Sequence, residues 1–333
     1  MKQAIMRLRA CINREIRSFL TARGYLEVQT PVLAPHLIPE SHLEVFATEQ
    51  IAPDGGAQPR YLVPSPEVWH KQLLGSGYGS IFEIARCFRN GEQRGAHHNN
   101  EFTMLEYYSV DADHLDSIRV TEGLLQHLLG RLQRELQQYG QSAERLQKLQ
   151  PPFARMSVRE AVLQYSGIDL DRHQQSSELA EAAARIGIRA AAGDSWERVF
   201  NHILVDRVEP ALPDQRPLVL IDYPAQVRTL AEPADDPRYS RRWELYAGGV
   251  ELANCYAEER SAQRVQQFFA AEAKAKRSCR VPHSVDWNYC RWFGSQFPRC
   301  SGVALGVDRL VMLLSGETNM SGVILFAESD RMV

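Results

Sequence analysis

The chain has 333 residues, 44% hydrophobic and 24% charged, enough apolar material for one large domain or two ordinary ones. A formal net charge of −3 excludes broad electrostatic binding of nucleic acid and leaves only local contacts. No apolar run approaches the length of a membrane span and the amino-terminal stretch lacks a signal-peptide core, so a cytoplasmic protein is expected.

Taken in chain order, residues 4–23 read as an amphipathic helix, since Ile5, Leu8, Ile12, Ile16 and Phe19 or Leu20 recur at helical spacing and Gly24 stops it. Tyr25–Pro31 reads as a short strand ended by proline. Residues 34–60 look irregular, with a hairpin turn at Asp54-Gly55-Gly56. Ser65 and Pro66 read as the N-cap and first position of a helix. Ile81–Arg89 and Glu101–Val110 read as strands around a polar loop, Asn90–Asn100. A long amphipathic helix is expected over 114–139 and a solvated connection over 140–152. Helices follow at Ser157–Tyr165, Ser176–Ile186 and Trp196–Glu209, then a buried strand at Leu218–Tyr223. Arg242–Tyr246 and Val250–Tyr256 flank Gly248-Gly249 as a hairpin, and Ala262–Lys276 reads as a helix. Ser301–Gly306 closes the chain as a small-residue strand running into an apolar helix. No repeat and no domain boundary is evident, so residues 1–333 are read as a single α+β domain with a mostly antiparallel sheet. The six cysteines form no Cys-x-x-Cys pair and fit reduced thiols.

Three constellations carry chemistry. Alternation puts Phe102, Met104, Glu106 and Tyr108 on one face of a strand, and a carboxylate and a phenol among apolar residues suit a cationic group. Arg86 and Arg89 bracket a loop carrying Glu92, Arg94, His97, His98, Asn99 and Asn100, which suits either a polyphosphate lid or a plain solvated hairpin. The His97-His98 pair is weak as a metal motif, because neighbours on a strand point oppositely. With the second hairpin's turn centred on Ala247-Gly248, Glu244 and Glu251 face each other. Such like charges call for a cation between them, or else splay into water. Strict alternation leaves Glu258 off the face of Glu251 unless a bulge or a strand end intervenes. Finally, Arg309 at the head of the last helix stands where phosphate is favoured, and Gly302 and Gly306 allow close approach of backbone.

Together these segments resemble the three motifs of the class II aminoacyl-tRNA synthetases. Glu27-Val-Gln-Thr-Pro31 resembles motif 1, Phe88-Arg-Asn-Gly-Glu92 with His98–Tyr108 motif 2, and Gly302–Arg309 motif 3. Ser65-Pro-Glu67, Glu101–Glu106 and Glu251-Leu-Ala-Asn254 match the lysyl subgroup. Motif 1 begins within thirty residues of the start, so an anticodon-reading domain is not expected, and Ala304 stands where the synthetases carry glycine. This pattern resembles the elongation factor P–lysine ligases, which activate lysine or (R)-β-lysine with ATP and transfer it to a lysine of elongation factor P.

The resemblance implies a six- or seven-stranded antiparallel sheet flanked by helices, and a homodimer across motif 1. It implies that Arg89 contacts the α-phosphate, that Phe102 and Arg309 sandwich adenine, with Arg309 also reaching the γ-phosphate, and that Glu92, His98 and Asn99 contact ATP. Glu244 and Glu251 would hold Mg²⁺. Glu67 would take the amine nearer the carboxylate, and Glu106, Tyr108 and Glu258 the side-chain ammonium, with Asn254 and Ala304 in the same pocket. The chain departs from the pattern at Gly91, Ala96 and Asn100 in the motif 2 loop, and at Ala257. At Cys255, expected beside the pocket, the departure bears on the choice between lysine and β-lysine. Elongation factor P is the expected partner, and tRNA is not. Two alternatives stand beside this reading: a minimal aminoacyl-tRNA ligase, and a catalytically silent paralogue that regulates a partner.

Overall fold

The computed structural model describes residues 2–91, 95–138, 146–191 and 193–327. Helix α1 (Lys2–Thr21) buries the stripe Ile5, Leu8, Ile12, Ile16, Phe19 and Leu20, which is the helical periodicity of its sequence turned inward. Strands β1 (Leu26–Glu27) and β2 (Leu33–Ala34) follow, and then the hairpin β3 (Ala47–Ile51) and β4 (Ala57–Leu62). Helix α2 (Glu67–Gly75) leads into β5 (Ile81–Phe88) and β6 (Glu101–Val110). Next come α3 (His114–Arg131), α4 (Gln133–Gln138), β7 (Ala154–Ser157), α5 (Val158–Ser166), α6 (Ser176–Arg185) and α7 (Trp196–Ile203). Strands β8 (Leu218–Pro224), β9 (Tyr239–Ala247) and β10 (Val250–Ala257) precede α8 (Ala262–Lys276), β11 (Cys300–Gly306), α9 (Val307–Ser315) and α10 (Met320–Val323).

Eight strands form one sheet in the order β1-β5-β6-β11-β10-β9-β8-β7. The six central strands are antiparallel, and β1 and β7 add parallel pairings at the two edges. The expected six or seven antiparallel strands therefore describe the centre, while the edge strands make the sheet larger and mixed. One face is covered by α1, α3 and α9 through a continuous core that includes Trp243, Leu245, Val303, Leu305 and Leu310. The segment from α5 to α7 builds its own core around Trp196, Val199, Phe200 and Ile203, but shares Leu218, Leu220 and Tyr246 with the sheet.

Four local expectations change. Residues 34–60 are not wholly irregular, since β2, β4 and β3 make a separate three-stranded sheet with the expected turn at Asp54–Gly56. The side chains of β3 are exposed throughout, so no apolar alternation marks it. The helix expected over 114–139 breaks at Leu132. The connection expected over 140–152 buries Leu149, and its first part lies outside the described residues. The helix expected over 196–209 loosens into a π-turn at Leu204–Val208 and ends as a 3₁₀ turn at Glu209–Ala211, where Pro210 has no N–H to give. All six cysteines are free thiols.

Candidate active site

The open face of the sheet carries a cleft of about 450 Å³. Every residue to which the family resemblance gave a role lines it apart from Glu92, which with Arg94 lies outside the described residues; of the wider motif 2 loop set, Arg86 and Asn100 do not line it. Strand alternation does most of this work. Phe102, Met104, Glu106 and Tyr108 of β6 face the cleft, while Leu105 and Tyr107 sit in the core behind. On β11, Gly302, Ala304 and Gly306 alternate in the same way, and Ala304 lies opposite Glu106 on one side and Asn254 on the other. A Cβ at Gly302 would come within 2.5 Å of both Glu258 Oε1 and Tyr108 Cε1, so only glycine leaves the cleft floor open there.

The β9–β10 hairpin corrects the assumed register. Gly248 (φ 57°) and Gly249 (φ 77°) form the two-residue turn, and Glu251 pairs with Tyr246, not with Glu244. The register then shifts between Glu251 and Ala253, and Glu244 pairs with Asn254. Glu244 and Glu251 still share the cleft face, as diagonal neighbours. This bulge also resolves the position of Glu258, because after it Asn254, Tyr256 and Glu258 face the cleft in alternation. Cys255 is consequently turned the other way. It is 1% exposed in the core opposite Trp243 and Val303 and does not line the cleft, so it cannot touch a bound amino acid. Ala257 is likewise buried off the cleft.

One end of the cleft suits a nucleotide. Arg89 leaves β5 with its amide on Asn100 O (2.9 Å), and its guanidinium stands 5.2 Å from the Phe102 ring centroid. Arg309, in the first turn of α9, donates to Glu251 O at 2.6 Å and lies 3.4 Å from Glu251 Oε2 and 3.3 Å from His98 Nε2. Gly306 at the N-cap of α9 has no side chain to cap it, which leaves the first amides and the helix dipole available to an anion. Asn99 donates to Glu101 O at 2.5 Å and holds the base of the motif 2 loop. The loop also closes on α10, where the Met320 amide donates to Ala96 O at 2.7 Å.

Glu244 is fixed by phenols from two strands. Tyr223 and Tyr246 donate to its Oε2 at 2.6 and 2.9 Å, and Arg242 pairs with its Oε1. Partial desolvation by the cleft walls and, after it, the nearby Glu244 carboxylate push the Glu251 carboxyl upward. Among the described residues no group of three or more His, Cys, Asp or Glu side chains is arranged to hold a metal unaided. A hard cation here would therefore draw on ligand oxygens as well, and this donor set suits magnesium.

The other end is rich in carboxylates. Glu106 is held by Ser65 on Oε1 and by Tyr108 on Oε2 (3.2 Å). The expected cap moves by one residue, since Pro66 and not Ser65 is the N-cap of α2. Ser65 Oγ accepts the Glu67 amide at 3.0 Å while its hydroxyl donates to Glu106, and the helix proper begins at Glu67. Glu67 and Glu258, both nominated for substrate ammonium, already share Lys71, whose Nζ is 2.8 Å from Glu258 Oε2. Burial opposes the Lys71 charge, but Glu258 and Glu67 outweigh it and push its pKa well above the usual range. The sequence reading missed Lys71. The Glu67–Lys71 spacing of one helical turn was the available signal. Tyr223 gave no local signal, because its strand lies 21 residues before Glu244.

An open sheet face whose cleft joins an arginine-lined end suited to phosphate to a carboxylate-rich end suited to amines matches a class II aminoacyl-tRNA synthetase-type catalytic domain. The profile of the class II tRNA synthetases of the D, K and N type matches residues 1–330. The elongation factor P–(R)-beta-lysine ligase of Haemophilus influenzae (strain PittGG) is 34% identical over 322 residues, covering 96% of this chain and 93% of that protein. The protein of the same name from Salmonella schwarzengrund (strain CVM19633) is 34% identical over 324 residues, covering 96% and 93%. The chain belongs to this synthetase family, and within it to the family of the elongation factor P–(R)-beta-lysine ligases.

Proposed function

We propose that this protein activates lysine or (R)-β-lysine with ATP and transfers it to a lysine side chain of elongation factor P. The observation that carries the reading is the single cleft in which Arg89, Phe102 and Arg309 at one end meet Glu67, Glu106 and Glu258 at the other, across Ala304. The family membership and the names of the relatives point the same way.

The amino acid lies with its ammonium groups toward the carboxylates and its own carboxylate toward Arg89. That carboxylate attacks the α-phosphorus in line, the bond to pyrophosphate breaks, and Arg89 stabilises the charge that develops on the α-phosphate. Phe102 and Arg309 hold adenine between ring and guanidinium, and His98, Asn99 and Glu92 support the nucleotide. Glu244 and Glu251 would hold Mg²⁺, which supplies charge neutralisation on the phosphates when bound. The acceptor amine then attacks the adenylate carbonyl, AMP leaves, and the amine sheds its proton. Exposed Leu26, Val32 and Leu33 around motif 1 support a homodimer through that edge. No helix among the described residues is long and apolar enough to cross a membrane. An enzyme drawing on ATP and a translation factor works in the cytoplasm.

The test offers labelled lysine and (R)-β-lysine, with ATP, to purified elongation factor P and separately to total tRNA. Label on the protein is the expected result. Label on tRNA alone would replace this reading with a minimal aminoacyl-tRNA ligase, and no label with no pyrophosphate exchange would indicate a silent paralogue. In the same assay Ala304→Gly, which removes one methyl from the wall between Glu106 and Asn254, is expected to shift the ratio of kcat/KM between lysine and (R)-β-lysine by about 1–3 kcal/mol. An unchanged ratio would take Ala304 out of the specificity wall.

A further inference from the structure

Behind Glu106, away from the cleft, lies a second charged group that the reaction above does not use. His70 is completely buried on α2, next to Lys71. Its Nε2 is 2.9 Å from Glu83 Oε2 and its Nδ1 is 3.4 Å from Glu106 Oε2. Glu83, on β5, is anchored from the far side by the Thr30 amide (3.0 Å) and the Thr30 hydroxyl (2.8 Å). The Tyr108 ring stands edge-on to the imidazole at 5.4 Å. A carboxylate that already accepts from Thr30 takes the Nε2 proton of His70 as well. The neutral ring would then turn the bare Nδ1 lone pair toward an oxygen of Glu106. Two acceptors at that distance repel unless one proton lies between them.

We propose that His70 is a positioning residue for the amine subsite, and that capture of a substrate ammonium by Glu106 is coupled to loss of the proton that the His70 imidazolium carries on Nδ1 toward Glu106. The proposal rests on Glu106 being an ammonium ligand, as in the proposed function. A substrate cation supplies Glu106 with the positive charge that the imidazolium supplied before, and repels the imidazolium itself. Proton and substrate therefore compete, and the linkage is reciprocal. Besides Glu106 and Tyr108 on β6 and Glu83 on β5, the charged groups around this site are Glu67 and Lys71 on α2 and Glu258 after β10, of which Lys71 neutralises one carboxylate. Burial opposes the charge on His70, but the flanking Glu106 and Glu83 carboxylates outweigh it and raise its pKa above the usual value. The charged form thus dominates below that raised pKa, and affinity for the diamino acid increases as pH rises through it.

The experiment is ATP–pyrophosphate exchange with lysine and (R)-β-lysine across a pH series, for wild type, His70→Met and Glu83→Gln, with folding of each checked by its thermal midpoint. Titration of substrate and ATP cancels in the ratio of wild type to variant. Wild-type KM for the amino acid is expected to fall by up to about tenfold per pH unit below the His70 pKa relative to His70→Met, with little pH dependence in the kcat ratio. Glu83→Gln, which removes one carboxylate from the imidazolium while keeping an acceptor for Thr30, should move the inflection to lower pH. It decides the matter even if His70→Met does not fold. Parallel KM profiles in wild type and His70→Met, or an inflection that Glu83→Gln leaves in place, would overturn the coupling while leaving the ligase reading intact. No exchange by wild type with either amino acid would remove both.

Discussion

Arg309→Ala is expected to lower the rate of ATP–pyrophosphate exchange by about 10²–10³-fold while leaving the fold in place, because the lost cation faces charge that develops on phosphate. The expectation separates cleanly from stability. Among the described residues the Arg309 guanidinium bonds to Glu251 and lies against His98, both of which line the cleft. Its side chain keeps 20% of its surface exposed, so water can replace what it gave. The thermal midpoint should therefore stay near that of the wild type while exchange collapses. Exchange within a few-fold of wild type would remove Arg309 from the nucleotide site, and with it much of the argument from the head of α9.

The neighbouring residue should behave in the opposite way. Asp308 is 2% exposed and holds three parts of the chain together. One carboxylate oxygen pairs with Arg9 on α1, and the other accepts the Thr103 amide of β6 at 2.6 Å. Arg9 also donates to Val323 O at 3.0 Å, which ties α10 to the same point. Asp308→Ala leaves a buried amide unpartnered and a mostly buried guanidinium without its counter-ion. We expect a loss of about 3–5 kcal/mol, read as a lower midpoint in chemical denaturation. A midpoint equal to wild type would mean that water takes over these bonds and that Asp308 is not a structural tie. Two adjacent residues at one strand–helix junction thus divide the labour: Asp308 looks inward to fasten α9 to the sheet, and Arg309 looks outward into the cleft.

That junction was legible in the sequence, and the reason is local. Ser301–Gly306 alternates small residues toward the cleft with Val303 and Leu305 toward the core, and the apolar run after Arg309 has helical period. The face of β6 was legible for the same reason. The motifs were specific enough to nominate Arg89, Phe102, Glu106, Glu251 and Arg309 before any coordinates, and one cleft collects them. The edge strand β3 was not legible, since exposed side chains on both faces leave no period to read.

What the sequence by itself determined is therefore which side chains share a face within each strand and helix, because periods of two and 3.6 residues are properties of the local backbone. What only the tertiary structure decided is how those faces meet. The bulge after Glu251 returned Glu258 to the cleft and sent Cys255 into the core, against the simple alternation. The pairing of Lys71 with Glu258, of His70 with Glu83 and Glu106, and of Tyr223 with Glu244 joins elements distant in the chain. Buried charges find partners wherever packing brings them together, since leaving one unpaired costs more than the choice of any particular partner. Partner choice of this kind is set by the assembled sheet and the helix that lies across it, and no local period in the chain encodes it.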